Sequence, residues 1–188
     1  MTWTLSHRAG KSVLPLADAH YSRQKPGTPQ FVPPGRCIVL RAIRRRKVRA
    51  YWVTSWPFAE YTKHEWAGAW VCSAFRNVGA GLSSQLITEA VAATRYEWPD
   101  VPKVWAAEIS AHVGIVSFID TEKTKAKETP GRCYLKAGWE YIGKTQAGLI
   151  AVGQRPELMP AAQPAKGMQA ALFASPLPLA AGSERGRT

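Results

Sequence analysis

WVCSAFRNVGAGLSSQLITEA, residues 70–90, changes from strand-like to helix-like sequence within a few residues. Between the two parts lie Arg-Asn and two closely spaced glycines, Gly79 and Gly81. Such a turn exposes backbone N–H groups at a helix N-terminus, where the helix dipole adds to their attraction for an anion. Glycine has no Cβ, so phosphate oxygens can approach the backbone closely. The segment therefore predicts an anion site, and the alternative is a tight strand–helix turn with no ligand.

Strand and helix patterns continue on both sides of this turn. CIVLRAI (37–43) and VRAYWVTSW (48–56) predict two strands joined by a four-residue hairpin loop, RRRK (44–47). A strand of about six residues is expected to end within 70–74. The helix is predicted over 81–96, with one apolar face made of Leu82, Leu86, Ile87, Ala90 and Val91.

The second half adds more short elements. KVWAAEIS (103–110) reads as a strand or a short helix, and GIVSFID (114–120) as a buried strand. GRCYLKAGW (131–139) predicts a short helix, followed by a strand pair in EYIGKT (140–145) and GLIAVG (148–153). This order predicts an α/β fold with a mixed central sheet flanked by helices.

The two ends of the chain differ from this regular region. A short helix is predicted around 12–20, followed by a long structured loop, HYSRQKPGTPQFVPPGR (20–36), and long loops in compact domains are often functional. One domain is predicted over 1–153. Residues 154–188 are rich in Ala, Pro and Gly and predict a loosely packed or disordered tail.

Positive charge is concentrated in the first third of the chain. Residues 1–66 hold 12 Lys or Arg and 3 Asp or Glu, whereas residues 67–188 hold 13 and 10. A basic half predicts a polyanionic partner, because cationic side chains release counterions from phosphates; the alternative is a role in solubility alone. The phosphate contacts are predicted for Arg23, Arg44, Arg45, Arg46, Lys47, Arg49, Lys123 and Lys125.

Aromatic residues crowd the segment after this basic hairpin. Rings can stack on a nucleobase removed from the duplex, although at least half of these rings are expected to fill the core. The residues concerned are Trp52, Trp56, Phe58, Tyr61 and Trp66.

Several classes of protein are disfavoured. No run of 18 apolar residues and no secretory signal is visible, so a soluble cytoplasmic protein without a membrane partner is expected. Cys37, Cys72 and Cys133 are too far apart for a cysteine-rich zinc site and predict no disulfide framework. The histidines show no HxH or HExxH spacing, so no metal set is predicted, although His20 beside Tyr21 stays open as a ligand.

Two motifs carry a resemblance to a known superfamily. Residues 76–81 fit an (R/Q)xxGxG pattern, and CYLKAGWEYIGKT (133–145) follows after one strand. Together they resemble the pyrophosphate loop and the later helix–strand unit of the GCN5-related N-acetyltransferases. The resemblance implies acetyl-CoA or a related acyl-CoA as cofactor, and Tyr134 as proton donor to the leaving thiolate unless it is a core aromatic. The implied cofactor contacts are Arg76, Asn77, Val78, Gly79, Ala80, Gly81, Ser83 and Ser84, with one serine expected only to cap the helix.

The segment HYSR (20–23) and its proline loop point to a narrower resemblance. With SFID (117–120) and YIGKT (141–145), they resemble the Mom-type phage DNA-modification proteins, a divergent branch of the same fold. The resemblance implies transfer of an acyl- or carbamoylmethyl-type group to a nucleobase amine, adenine foremost, in double-stranded phage DNA as an anti-restriction modification. The basic loop after Asp120 is longer here, so the base could differ.

Proton handling is assigned to Asp120, with His20 and Tyr21 as a substrate-handling pair. Asp120 follows a strand end, where a carboxylate could bind or deprotonate an amine, and its alternative role is to cap a turn. Two other functions remain open. One is a plain N-acetyltransferase of a small amine or protein, which would need an acidic cleft. The other is a DNA-binding module that kept the fold without the chemistry.

Overall fold

A computed structural model describes residues 3–57, 64–124 and 129–165. Seven strands form one sheet, two form a small hairpin, and three α-helices pack around them. The strands are β1 (Trp3–Ser6), β2 (Arg36–Arg44), β3 (Lys47–Trp56), β4 (Trp70–Asn77), β5 (Val104–Ala106), β6 (Ala111–Val113), β7 (Ile115–Ile119), β8 (Glu140–Lys144) and β9 (Ile150–Gln154). The helices are α1 (Leu14–Asp18), α2 (Ser83–Glu97) and α3 (Arg132–Leu135), with 3₁₀ turns at Ala107–Ile109 and Pro156–Leu158.

The large sheet is mixed and has the order β1-β2-β3-β4-β7-β9-β8. Strands β1 to β4 are antiparallel neighbours, and β7, β9 and β8 form a second antiparallel group. The two groups meet at the parallel pair β4 and β7, which the long helix α2 connects. Parallel neighbours require such a crossover connection.

The parallel pair stays together only at its start. Trp70–Cys72 of β4 faces Ile115–Ser117 of β7, after which β4 follows β3 to Asn77 and β7 follows β9 to Ile119. Each strand therefore separates from the other and stays paired with its outer neighbour, β3 for β4 and β9 for β7. The result is a gap between their C-terminal ends, in the middle of the sheet.

Both faces of the sheet are covered. Helix α2 packs its buried residues, Leu86, Ile87, Ala90 and Val91 among them, against Trp52 and Trp70 on one face. On the other face, α1 and the loop 20–35 cover Val39, Tyr51 and Val53. A neighbouring cluster on Trp66 and Val116 completes the second layer. Mixed α/β architecture, as the sequence predicts, is confirmed.

Most predicted elements are confirmed, with shifted ends. The hairpin between β2 and β3 is tighter than predicted, because both strands continue until only Arg45 and Arg46 form the turn. Strand β4 continues past residue 74 to Asn77, since β3 pairs with it along this length. The segment 103–110 divides into strand β5 and a 3₁₀ turn, so both interpretations hold for part of it.

Other predictions from the sequence are wrong, and some elements were not predicted. Leu82 does not join the apolar face of α2: it precedes the helix and its side chain is 72% exposed. Strands β1 and β6 were not predicted, since each has only a few residues. The packed region also ends farther along than residue 153, because Met159 and Ala165 are buried in the α2 core. Residues 166–188 lie outside the described residues, so a loose tail there stays a prediction.

A buried hydrogen-bond chain fastens α2 to the sheet. The indole Nε1 of Trp52 donates to the hydroxyl of Thr54 at 2.6 Å, and this hydroxyl contacts the Thr94 hydroxyl of α2 at 2.9 Å. Thr94 in turn donates to the Ala90 carbonyl. All three side chains are fully buried.

Thr54→Val should destabilise the fold by about 1–3 kcal/mol, because the Trp52 N–H would be left buried without an acceptor. Urea unfolding followed by tryptophan fluorescence measures this free energy. Thr88→Val is the matched control, since Thr88 bonds only within its own helix and is partly exposed. Equal stabilities of the two variants would contradict the role assigned to Thr54.

An ion pair holds the proline-rich loop against α1. Arg23 donates from Nε to Asp18 at 2.8 Å and from its other nitrogens to the Gln30 and Thr28 carbonyls. The second Asp18 oxygen accepts the N–H of Gly27. The Arg23 hydrogen bond, followed by that of Gly27, lowers the pKa of Asp18.

Asp18→Asn should lower the melting temperature at neutral pH and flatten its acid dependence. The folded-state pKa of Asp18 lies below the unfolded value, so its stabilisation is present above the unfolded pKa and is lost as pH falls through the folded one. Melting temperatures between about pH 2 and 7 check this. Asp100→Asn, at an exposed site, is the control. If Asp18→Asn kept the acid dependence of the wild type, this would contradict the stabilising role of the Asp18–Arg23 ion pair, called the Asp18–Arg23 clamp.

Candidate active site

A cavity of about 320 Å³, the splay cavity, lies in the gap between β4 and β7. Both strands line it, and so do the start of α2, helix α3 and the residues after α1. Its lining brings together predicted site residues from four separate segments of sequence. These are His20, Tyr21, Arg76, Asn77, Val78, Ser83 and Tyr134.

A second cavity of about 750 Å³, called the loop cavity, lies between the proline-rich loop and strands β3 and β4. Three residues line both cavities: His20, Ser73 and Ala74. The two spaces therefore meet at His20. Ser73 also marks an irregularity in β4, because the pairing of β3 with β4 shifts between Val53 and Thr54.

The glycine turn is held by its own asparagine. Asn77 Oδ1 accepts the N–H of Gly79 at 3.2 Å and that of Ala80 at 2.8 Å, while Nδ2 donates to the Gly81 carbonyl and to the Ser83 hydroxyl. Two amides predicted to hold an anion are thus already occupied. Gly79 has a φ of +93°, and a Cβ built there would meet no atom within 4 Å, so the space beside the turn is open.

The start of α2 keeps donors available. No side chain caps the helix at its N-cap residue Leu82, and the first helical hydrogen bond is that of the Leu86 N–H to the Leu82 carbonyl. The amides of the first turn therefore have no partner within the helix. Ser83 lines the splay cavity beside them, whereas Ser84 is not among its lining residues.

Tyr134 reaches the floor of the splay cavity from α3. Its hydroxyl lies 3.4 Å from the Cys72 Sγ of β4, and the Ser117 hydroxyl of β7 donates to the Cys72 carbonyl. Burial raises the pKa of Tyr134 well above its usual value and raises that of Cys72 to about 12. Both groups consequently keep their protons at neutral pH. Cys72 and Ser117 were not predicted as site residues, and nothing in their local sequence distinguishes them from strand residues.

The His20–Tyr21 pair is attached to both strands that border the gap. Arg76 of β4 donates to the Ala19 carbonyl, and the Tyr21 hydroxyl donates to the Phe118 carbonyl of β7 at 3.4 Å. Burial raises the pKa of Tyr21. Arg76 Nε is buried without a hydrogen-bond partner among the residues described, and Arg76 lines the splay cavity.

The tautomer of His20 follows from its neighbours. The Ser22 backbone N–H, which can only donate, lies 3.2 Å from His20 Nδ1, and the Ser22 hydroxyl lies 2.8 Å from the same nitrogen. Nδ1 is therefore an acceptor, and the neutral ring carries its proton on Nε2. The ring stacks on Tyr21 at a centroid distance of 4.5 Å.

Asp120 lies just past the end of β7, outside the lining of both cavities. Its Oδ1 accepts the N–H of Lys123 at 3.0 Å, and its Oδ2 lies 3.6 Å from Lys123 Nζ. The carboxylate thus caps a turn here, and its role in proton transfer stays a prediction. Lys125 lies outside the described residues.

The basic hairpin lies at the same end of the sheet as the glycine turn. Arg44 donates to the Gly79 carbonyl at 3.2 Å, and the Arg49 carbonyl accepts the Val78 N–H. Arg45 and Arg46 occupy left-handed conformations, with φ of 51° and 62°, and both are exposed. Positive φ at both central residues is what a two-residue β-hairpin turn of type I′ requires, so the turn geometry accounts for these conformations.

Other predicted residues have structural partners. The Arg23 guanidinium is engaged by Asp18 and the loop, so a phosphate contact by Arg23 stays a prediction. Trp52 and Trp66 are buried core rings, in agreement with the expectation that at least half of these aromatics fill the core. Phe58 and Tyr61 lie outside the described residues. Other aromatic rings line the cavities: Phe31 and Tyr51 line the loop cavity, and Tyr21, Phe75, Phe118 and Tyr134 line the splay cavity.

The described ranges contain neither a candidate metal cluster nor a candidate membrane span. Residues 3–57, 64–124 and 129–165 hold no cluster of three or more His, Cys, Asp or Glu suited to a metal ion. Among the helices of those ranges, none has the length and apolar character that a membrane span requires.

Comparisons with known proteins find similarity in structure and not in sequence. No known protein family and no curated protein matches the chain significantly. The aminoglycoside acetyltransferase AAC(6')-Ib, solved with coenzyme A and kanamycin, matches with a TM-score of 0.54 and 18% identity over 84% of this chain and 95% of that one. Its complex with ribostamycin and coenzyme A gives a TM-score of 0.52 at 18% identity, over 84% and 94%.

A related enzyme, AAC(6')-Ib11, matches with a TM-score of 0.50 at 16% identity, over 85% of this chain and 98% of that one. The alignments cover nearly the whole of each acetyltransferase. The low identity limits the conclusion to architecture. The chain therefore has the fold of the GCN5-related N-acetyltransferases, as its two sequence motifs predict.

Proposed function

We propose that the protein is an acyl-CoA-dependent transferase that modifies an amine of a nucleobase in double-stranded DNA. The observation that carries this proposal is the splay cavity, which extends from the glycine turn and the start of α2 to the Tyr134 hydroxyl. One end offers donors for an anion and the other a proton for a leaving group. The structures matched above contain coenzyme A or acetyl-CoA in the same fold.

The chain's own residues suit a pyrophosphate-bearing thioester. The uncapped first turn of α2, the Ser83 hydroxyl and the unpartnered Arg76 Nε all border the cavity. Helix N-termini and charged donors together favour phosphate groups. The Asn77 side chain already accepts hydrogen bonds from two loop amides, those of Gly79 and Ala80. The start of α2 and Arg76 would therefore hold the phosphates. When bound, acyl-CoA supplies an acyl group activated as a thioester.

The reaction forms a C–N bond to the base amine and breaks the acyl C–S bond. Tyr134, which keeps its proton at neutral pH, donates it to the sulfur that leaves. The amine loses one proton, and Asp120 stays the acceptor predicted from the sequence, although its carboxylate caps a turn outside the lining of both cavities. Its neighbour Tyr21 contacts the same strand end through the Phe118 carbonyl and places the substrate-handling pair beside it.

Charge favours DNA over a cationic acceptor. The exposed hairpin at Arg44–Lys47 lies beside the glycine turn, and residues 1–66 carry four times as many basic as acidic residues. Such a surface attracts phosphates and repels polyamines. The hypothesis of phage DNA as substrate, modified in the cytoplasm of a bacterial host, agrees with this charge and with the Mom-type motifs.

A plain amine acetyltransferase is the second candidate. One matched enzyme, AAC(6')-Ib, was solved in complexes with kanamycin and with ribostamycin, which carry amines that are cationic at neutral pH. That function would need carboxylates around the acceptor. Among the described residues, those lining the two cavities include no Asp or Glu, and this favours the first candidate.

Acetyl-CoA should raise the melting temperature of the protein, because a ligand of the native state stabilises it by mass action. At a hundredfold excess over Kd the expected shift is about 5 °C or more. Differential scanning fluorimetry with acetyl-CoA, and with ATP as an unrelated nucleotide, measures it. The absence of any shift at millimolar acetyl-CoA would contradict the proposed donor site.

Tyr134→Phe should reduce modification by about a hundredfold or more while leaving the acetyl-CoA shift intact, because it removes a proton donor and little else. Nucleoside mass spectrometry of DNA from cells expressing each form gives both the base and the added mass. Tyr141→Phe, at an exposed position on β8, is the matched control. Unmodified DNA from cells with the wild type would refute a DNA substrate. Full modification with Tyr134→Phe would remove Tyr134 from the chemistry.

A further inference from the structure

The loop cavity adjoins the splay cavity, and none of the residues proposed to hold the donor lines it. The two spaces share only His20, Ser73 and Ala74, at the point where the pairing of β4 with β3 is irregular. Such irregularities redirect side chains and are common next to active sites. A group bound in the loop cavity would thus reach the donor only past His20.

A row of aromatic rings leads from one cavity to the other. Tyr21 lines the splay cavity and stacks on His20 at 4.5 Å between ring centroids. His20 meets the edge of Tyr51 at 6.2 Å, and Tyr51 meets Phe31 at 6.1 Å. Tyr51 and Phe31 line the loop cavity. Tyr51 is buried behind Phe31, which is partly exposed, so a flat heteroaromatic group entering there would lie against Phe31 and the exposed prolines Pro33 and Pro34.

The polar lining suits a neutral group with a hydrogen-bonding edge. Gln24 and Gln30 each carry an amide with both donors and acceptors, and the charged lining residues, Arg23 and Lys25, are cationic. The nearby carboxylate of Asp18 is engaged by Arg23 and Gly27. A polyamine would find no anionic partner among the lining residues, whereas a base attached to a phosphate backbone would benefit from the cations.

We propose that the loop cavity is the acceptor site and that it takes one nucleobase extruded from the duplex. The inference rests on the proposed function and adds the place where the base binds. At about 750 Å³ the cavity lies within the range of ligand sites, with room for a base and part of its sugar. Enzymes that act on a base inside a duplex commonly extrude it into a pocket lined with rings and edge-reading polar groups.

The Asp18–Arg23 clamp supports the proposed base site. It fixes the loop that forms one wall of the cavity, because Arg23 holds the carbonyls of Thr28 and Gln30 on either side of Pro29. Phe31 and Gln30 are thereby presented by a rigid segment. A pocket that must select a planar base requires such preorganisation.

The test measures binding of the full-length protein to labelled duplexes by fluorescence anisotropy. One duplex is fully paired, and four others each contain a different mismatched base at the centre. A mismatched base costs less to extrude, so at least one mismatched duplex should bind about tenfold more tightly than the paired one. Phe31→Ala should reduce this preference to less than threefold through lost stacking. Trp105→Ala, which removes an exposed ring on β5, should leave the preference intact.

Gln30→Glu gives an independent result at an exposed position where folding is not at risk. A new carboxylate in the cavity should weaken binding of the mismatched duplex several-fold. Gln30→Ala removes the amide without adding a charge, and so separates the effect of the charge from that of the lost amide. Equal affinity of the wild type for all five duplexes would overturn the inference, and so would an unchanged preference in both Phe31→Ala and Gln30→Glu.

Acetylation of kanamycin that is faster with Gln30→Glu than with the wild type would also overturn the inference, since it would identify the cavity as a site for cationic amines. These failures differ from that of the proposed function, which is marked by the absence of acetyl-CoA stabilisation. A base-binding cavity tested by mismatch preference does not depend on that measurement.

Discussion

The separation of β4 from β7 is the constraint on which the rest of the structure depends. Each strand keeps hydrogen bonds to its outer neighbour, β3 or β9, and gives up the inner ones after Cys72 and Ser117. Backbone groups at the border of the gap are then free to meet side chains or a ligand. The splay cavity, the approach of Tyr134 to Cys72 and the position of the glycine turn all follow from this single break in pairing.

The gap is bridged by the segment after α1 and not by the sheet itself. Arg76 on β4 holds the Ala19 carbonyl, and Tyr21 reaches the Phe118 carbonyl on β7. His20 lies between these two attachments and lines both cavities. The irregular segment after α1 thus forms the wall between the two cavities. The Asp18–Arg23 pair fixes the other end of the same segment, so both ends of the wall are tied to regular structure.

Regular elements could be predicted from the sequence because their patterns are local. Alternating β-branched residues and the helical spacing of Leu86, Ile87 and Ala90 specify strands and α2 without reference to distant residues. The glycine turn is a local pattern of the same kind, and Asn77 and Val78 within it line the splay cavity. The loop cavity could not be predicted, since Phe31 and Tyr51 become neighbours only when the loop folds back on β3. Leu82 shows the same limit: its spacing fits the apolar face, but it precedes the first turn of the helix and faces outward.

Asn77 changes how the glycine turn should be understood. The motif suggests a loop whose amides wait for phosphate, yet the Asn77 carboxamide already accepts from Gly79 and Ala80 and donates to Gly81 and Ser83. A turn closed in this way is rigid before any ligand arrives, and it fixes the direction in which α2 begins. Under the proposed function, phosphates would therefore meet the first turn of the helix and Arg76 and not the loop amides. Preorganisation of this kind lowers the entropic cost of binding, because the groups that meet the phosphates are already in place.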